Sequence, residues 1–150
     1  MLPNGSIHAN VSERPAEVEV IDRDAIRGPE HAKRLRRSKV TLRDLDDSAT
    51  ARGMESIRKS LEKFASKGTI DDPAPILARI TPTGDIAAAA AGIDLAVEAI
   101  IEDEAAKRAL FAALDAAAPP AAILATNTSS IPIGRLAEAV APARRPRVVG

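Results

Sequence analysis

The sequence predicts an open α/β sheet, doubly wound and parallel, and three observations predict it. Short apolar runs alternate with segments of helical period, the connections between them are short, and the runs at 95–100 and 123–126 read as strands buried on both faces. Strands that alternate with helices in this way imply parallel pairing through right-handed crossovers. At 150 residues and 45% apolar content the chain has about the size and core of one ordinary domain. Residues 1–17 mix Pro, Asn, Gly, Ser and charge without apolar period and are expected to be a disordered lead-in; the folded domain is expected over 18–150.

Taken in order, Val18, Val20 and Ile21 form a short apolar run that reads as a first strand, with Glu19 awkward inside it. Residues 29–37 are compatible with a helix, and Val40 to Arg43 read as the second strand. Asp46, Asp47 and Ser48 supply caps for a long helix ended by Gly68. In it Ala51, Met54, Ile57, Leu61 and Phe64 recur at three- and four-residue steps and are expected to face inward. Glu55 with Lys59, and Arg58 with Glu62, are i,i+4 pairs on its solvated face. Arg79 to Thr81 read as a short strand, 85–91 as a short helix, and Leu95 to Ile100 as a buried strand. Ala106, Ala109, Leu110, Ala113, Leu114 and Ala117 mark the inner face of a second long helix that Pro119 and Pro120 stop. Ile123 to Thr126 form a compact apolar strand, and a last helix runs from Pro132 to about Val140.

Composition excludes several functions. Twenty-one Lys plus Arg balance twenty-one Asp plus Glu, so no overall field draws the chain to nucleic acid or to an anionic membrane. Lys33, Arg34, Arg36, Arg37 and Lys39 cluster, but two Phe and no Tyr or Trp leave no stacking platform for bases. With no Cys and two His, no metal site is expected. No apolar stretch approaches the roughly 18 residues of a membrane span, so a cytoplasmic protein without membrane or nucleic-acid partners is expected.

A doubly wound sheet takes its ligand beyond the carboxyl ends of its strands. Asp44 closes the second strand, where a carboxylate accepts both hydroxyls of a ribose and repels a 2′-phosphate; an N-cap or turn residue reads the same way. Glu102 and Lys107 follow the strand at 95–100. They either reach a ligand or form an ordinary helix start in which acidic residues meet the macrodipole. Asn127, Thr128, Ser129 and Ser130 follow the strand at 123–126; such residues cap helices, and four in succession also suit a ligand-facing loop.

Val40-Thr41-Leu42-Arg43-Asp44, Val97-Glu98-Ala99-Ile100-Ile101-Glu102-Asp103, Lys107, and Ala125-Thr126-Asn127-Thr128-Ser129-Ser130, in this order, resemble the NAD-binding domain of 3-hydroxyacyl-CoA dehydrogenases. The last string is the most specific, and the resemblance runs from about Val40 to Gly150 with a weaker extension to Val18. It implies a Rossmann-like fold without the family's helical C-terminal domain, NAD as cofactor, and an acyl-CoA substrate. Carried over residue by residue, it implies that Asp44 binds the adenosine ribose, that Glu102 and Lys107 line the cofactor site, and that Asn127 shapes the same loop. Ser129 would meet nicotinamide and substrate together, as the catalytic position of this chain. Ser60 and Lys67 would contact the coenzyme A portion. The family oxidises (S)-3-hydroxyacyl-CoA to 3-ketoacyl-CoA in fatty-acid metabolism, as in β-oxidation.

Two departures accompany these matches. The G-x-G-x-x-G turn of a dinucleotide fold is absent; counted from the run at 18–21, its positions hold Asp22, Asp24 and Arg27. A carboxylate at ~4 Å from a pyrophosphate, at an effective dielectric near 20, costs on the order of 4 kcal/mol, or about a thousandfold in affinity. The family's catalytic His belongs to a His-Phe-Phe-Asn-Pro motif just beyond the position matching Gly150, and neither His8 nor His31 matches it. No dehydrogenase turnover is therefore expected of these residues alone. A non-catalytic acyl-CoA or nucleotide-binding remnant is the competing expectation, and self-association through apolar surface that a C-terminal domain would cover is expected in either case.

Overall fold

The computed structural model describes the backbone of residues 8–12 and, in full, residues 39–150. Among the described residues six strands form one sheet: β1 (His8–Ser12), β2 (Lys39–Arg43), β3 (Ile80–Thr83), β4 (Leu95–Glu98), β5 (Ile123–Thr126) and β6 (Val148–Val149). Between them lie α1 (Asp47–Ser66), α2 (Ala74–Leu77), α3 (Ile86–Ala90), α4 (Glu104–Ala117) and α5 (Ile133–Ala137), with a 3₁₀ turn at Arg145–Arg147 before β6. The strand order is β3-β2-β1-β4-β5-β6, the order of a doubly wound dinucleotide fold. β2 with β3, β4 with β5, and β5 with β6 pair in parallel.

β1 departs from the all-parallel expectation. It runs antiparallel to both neighbours, His8 opposite Arg43, Ser12 opposite Lys39, and Ala9 opposite Val97. It also comes from within 1–17, the segment expected to be disordered. Its Ala-Asn-Val centre fills the slot between β2 and β4, whose backbone groups would otherwise each lack a partner on one side. The strand expected at 18–21, the helix expected at 29–37 and the three positions 22, 24 and 27 lie outside the described residues.

The core sits on one face of the sheet. Alternation along β4 and β5 turns Ala96, Glu98, Leu124 and Thr126 to that face, level with Val148 of β6. There Leu110, Phe111 and Leu114 of α4 pack with Ala96, Leu124, Leu136 and Val148. Phe111 and Leu124 have no exposed surface. Small Ala residues at 90, 96, 118 and 122 let helix and sheet backbones approach in a core cluster whose one aromatic is Phe111.

The long helix is where the expected stripe fails. Asp46 caps α1 by accepting from the Ala49 amide at 2.7 Å, and Gly68 beyond its end takes φ 68°, the left-handed conformation that favours glycine. Yet its buried residues are Ala49, Thr50 and Gly53. Met54, Ile57 and Leu61 are half-buried, Ala51 is exposed, and Phe64 is 49% exposed. The reason is length: twenty residues span about 30 Å, whereas the four- and five-residue strands β2 and β3 span about 13–17 Å, so only the first two turns meet the sheet. The surface pairs expected on this helix form: Arg58 with Glu62 at 2.5 Å and Lys59 with Glu55 at 3.4 Å.

Candidate functional site

Because β1 is antiparallel to both β2 and β4, those two strands run the same way, and the carboxyl ends of β2, β4 and β5 share one edge of the sheet. Thr126 is directly opposite Glu98, and Arg43 lies level with them across β1. At about 4.8 Å per strand, the end of β2 stands about 14 Å from the end of β5. The edge therefore offers polar groups at two ends of an elongated ligand.

At the β2 end, Asp44 is 2% exposed and its Oδ1 accepts from the Leu45 amide at 2.7 Å, which fixes the carboxylate in a tight turn. Arg43 points to the other side of the strand and donates to the Gly84 carbonyl at 3.2 Å, tying the end of β2 to the turn after β3.

At the other end a polar network joins β4, α4 and the loop after β5. Glu98 closes β4 on the helix-covered face, wholly buried. Its Oε1 accepts from Lys107 Nζ at 2.7 Å and from the Ile100 amide at 2.5 Å; its Oε2 accepts from Thr126 Oγ1 at 2.6 Å. Lys107, four residues after the N-cap Asp103, is equally buried and also meets the Ile100 carbonyl at 3.2 Å and Glu102 Oε2 at 3.3 Å. Three acceptors account for the three donors of its ammonium. Lys107 thus reaches the rim through Glu102 and presents no surface of its own.

Glu102 is the half-exposed member. Ser130 Oγ donates to its Oε1 at 2.6 Å and the Thr128 hydroxyl donates to the same oxygen. The Ser130 and Thr128 hydroxyls, with smaller contributions from the Lys107 ammonium, hold its carboxyl at about 2, below the ordinary 4.5. The loop is pinned by the Asn127 amide on the Glu98 carbonyl at 3.1 Å and by the Thr128 amide on Thr126 Oγ1 at 3.2 Å. Asn127 and Ser129 are exposed on it.

Of the residues expected from sequence, Asp44, Glu102, Lys107, Asn127 and Ser129 come together along this edge. Ser60 and Lys67 do not join it: Ser60 is exposed on α1 with its hydroxyl on the Ser56 carbonyl at 2.9 Å, and Lys67 is the exposed C-cap residue. A groove of 560 Å³ between α1 and β3, lined by Thr50, Ala51, Met54, Leu77 and Pro82, includes none of the expected residues. For Glu98 and Thr126 the one signal in the sequence is a Glu inside an otherwise apolar buried strand, which needs a buried polar partner. His8 opens β1 opposite Arg43, at this same edge, and His31 lies outside the described residues. Among the described residues no group of His, Cys, Asp and Glu is arranged to hold a metal ion, and no helix is long and apolar enough to cross a membrane.

The fit to NAD is good at both ends and incomplete in the middle. Asp44 suits a ribose and the exposed loop at 127–130 suits the far end of the dinucleotide. The phosphates, however, require a glycine turn at the carboxyl end of the first strand, and the carboxyl end of β1, Ser12, lies beside Lys39 at the opposite edge.

Comparison with known proteins agrees with this geometry. The model of the 3-hydroxyacyl-CoA dehydrogenase NAD binding domain matches residues 31–150. The fold superposes on FadB2 of M. tuberculosis with a TM-score of 0.70 at 35% identity, over 75% of this chain and 40% of that one. It matches 3-hydroxybutyryl-CoA dehydrogenase of E. coli K12 with a TM-score of 0.65 at 35% identity, over 72% of this chain and 23% of that one. For (S)-3-hydroxybutyryl-CoA dehydrogenase PaaH1 of Ralstonia eutropha the values are 0.68 and 28%, over 74% and 40%. The chain thus spans less than half the length of these proteins. The sheet order, the polar strand ends and the matched residues place the chain in the 3-hydroxyacyl-CoA dehydrogenase family, as its NAD-binding domain.

Proposed function

We propose that this chain is the cofactor-binding part of an enzyme that oxidises a short-chain (S)-3-hydroxyacyl-CoA to the 3-ketoacyl-CoA in fatty-acid metabolism, in the cytoplasm. The observation that carries the reading is the convergence of Asp44, Glu102, Asn127 and Ser129 on one sheet edge, with Lys107 behind Glu102. Two matched structures are by name 3-hydroxybutyryl-CoA dehydrogenases, which supports the short chain. When bound, NAD supplies the hydride acceptor. Asp44 would accept the adenosine ribose hydroxyls, Glu102 would stay ionised at the rim, and Ser129 would donate to substrate or nicotinamide. Ser60 and Lys67, exposed on the overhanging half of α1, would take the coenzyme A portion. None of these residues matches the family's catalytic His, so these 150 residues alone are expected to show no turnover. Apolar surface such as Ile101 and Phe64, each 49% exposed, supports weak self-association.

A second reading, a non-catalytic nucleotide- or acyl-CoA-binding remnant, is favoured by the direction of β1 and by the missing glycine turn. Parallel titrations with NADH and acetoacetyl-CoA separate the two. Saturable NADH fluorescence enhancement that Asp44→Asn and Ser129→Ala each weaken supports the cofactor domain; acetoacetyl-CoA binding without NADH binding supports the remnant. Absence of both would reject either function.

A further inference from the structure

The Ser129 loop is held by a closed ring of polar groups, and three of its five residues, Glu98, Thr126 and Lys107, are buried. Glu98 Oε2 accepts from Thr126 Oγ1, which accepts from the Thr128 amide; the Thr128 hydroxyl donates to Glu102; Glu102 pairs with Lys107; and Lys107 donates back to Glu98 Oε1. The ring joins β4, β5 and α4. Its two innermost members, Glu98 and Lys107, have no exposed surface. Two apolar side chains of similar volume would fill that space with less desolvation cost. What the charged pair adds is direction, because each carboxylate oxygen and each ammonium proton is committed to a stated partner.

The ring also leaves the functional hydroxyl out. Residues on both sides of Ser129 are tied, Asn127 and Thr128 through β4 and Thr126, Ser130 through Glu102, while the Ser129 hydroxyl belongs to none of these bonds. A loop of four small polar residues has little packing of its own, so its conformation depends on what its base is bonded to. We propose that Glu98 and Thr126 are positioning residues, which fix the 127–130 loop and the Glu102 carboxylate from within the sheet without touching ligand. The functional meaning rests on the reading of this edge as the cofactor site; the positioning itself does not.

Amide hydrogen exchange on the full chain tests it, with Thr126→Val, which keeps the shape and removes the hydroxyl, Thr126→Ser, which keeps the hydroxyl, and Glu98→Gln. The expected result for Thr126→Val is exchange about tenfold faster at Thr128, Ser130 and Ile131, whose amides bond to the threonine hydroxyls. Amides near Leu114 and Ala118, at the far end of α4, are expected to change less than twofold after correction for global stability. Thr126→Ser restores the loop rates, and Glu98→Gln reproduces the Val phenotype more weakly. Unchanged loop rates in Thr126→Val, an equal loss in Thr126→Ser, or one uniform acceleration over the chain would overturn the proposal. NADH titration of the same variants is read separately: if the wild type does not bind NADH while the loop amides respond as stated, the cofactor reading fails and the positioning stands.

Discussion

Helix α4 meets a buried cation at each end, and the two are partnered on opposite electrostatic terms. Near its C-terminus Arg144, 6% exposed, spreads its five N–H groups over the Asp115 carboxylate at 2.8 Å and the carbonyls of Asp115, Ala118, Pro119 and Ala122. These include the unpaired carbonyls of a helix end, where the macrodipole favours positive charge. Near its N-terminus Lys107 sits where the same dipole opposes a cation, and Glu98 and Glu102 offset it. One end is a closed staple, with no group left over. The other passes its charge outward to a half-exposed carboxylate under the Ser129 loop, which is what a site needs and a staple does not.

The sharpest way to break the comparison is to remove the inner cation. Lys107→Met leaves Glu98 buried and unpaired and is expected to cost about 4 kcal/mol in urea denaturation. Adding Glu98→Leu is expected to recover at least half of that, because the orphaned charge is gone. Recovery of stability without recovery of NADH binding would separate fold from function at this end.

At the other end the expected loss is smaller and purely structural. Arg144→Lys retains the charge but has three donors in place of five, so some of the four carbonyls lose their partner, at about 2 kcal/mol. NADH affinity and exchange at Thr128 and Ser130 should not change beyond the stability correction. A change at the loop would mean that the two ends are coupled through α4, and the contrast drawn above would not hold.

How much of this was legible in the sequence follows the same divide. The expected cap Asp46 accepts from a first-turn amide, as Asp85 and Asp103 do at the starts of α3 and α4, and β5 begins and ends at the expected Ile123 and Thr126. Local chemistry decides such features. β6 is not legible in the sequence, since Val148–Val149 is too short to carry a period, and neither is the four-residue α2. The inward stripe of α1 failed because periodicity states which face is apolar and says nothing about how far the sheet extends beneath it. For the same reason Asp44, Ser129 and Glu102 could be named from their place after strands, whereas the roles of Glu98 and Lys107 depend on a contact nine residues apart that only the packing of α4 on β4 creates. The direction of β1 was illegible because strand pairing is a non-local contact that its own five residues do not encode.

The smallest expected effect bears most directly on the rim. Glu102 titrates at about 2, chiefly because the Ser130 hydroxyl donates to it. Ser130→Ala should therefore raise that value toward the ordinary 4.5, read as the side-chain carboxyl shift in an NMR pH titration. For a carboxylate whose folded value lies below its unfolded one, the linked stability is present above about pH 4.5 and is lost as pH falls toward 2. The variant should flatten that stretch of the stability curve only slightly, because Glu102 is half-exposed and solvent screens it. Its partner variant Ser129→Ala removes a hydroxyl outside the ring and should leave the Glu102 titration where it is. If both variants move the titration equally, Ser129 is part of the ring after all, and it would no longer be free to meet a ligand.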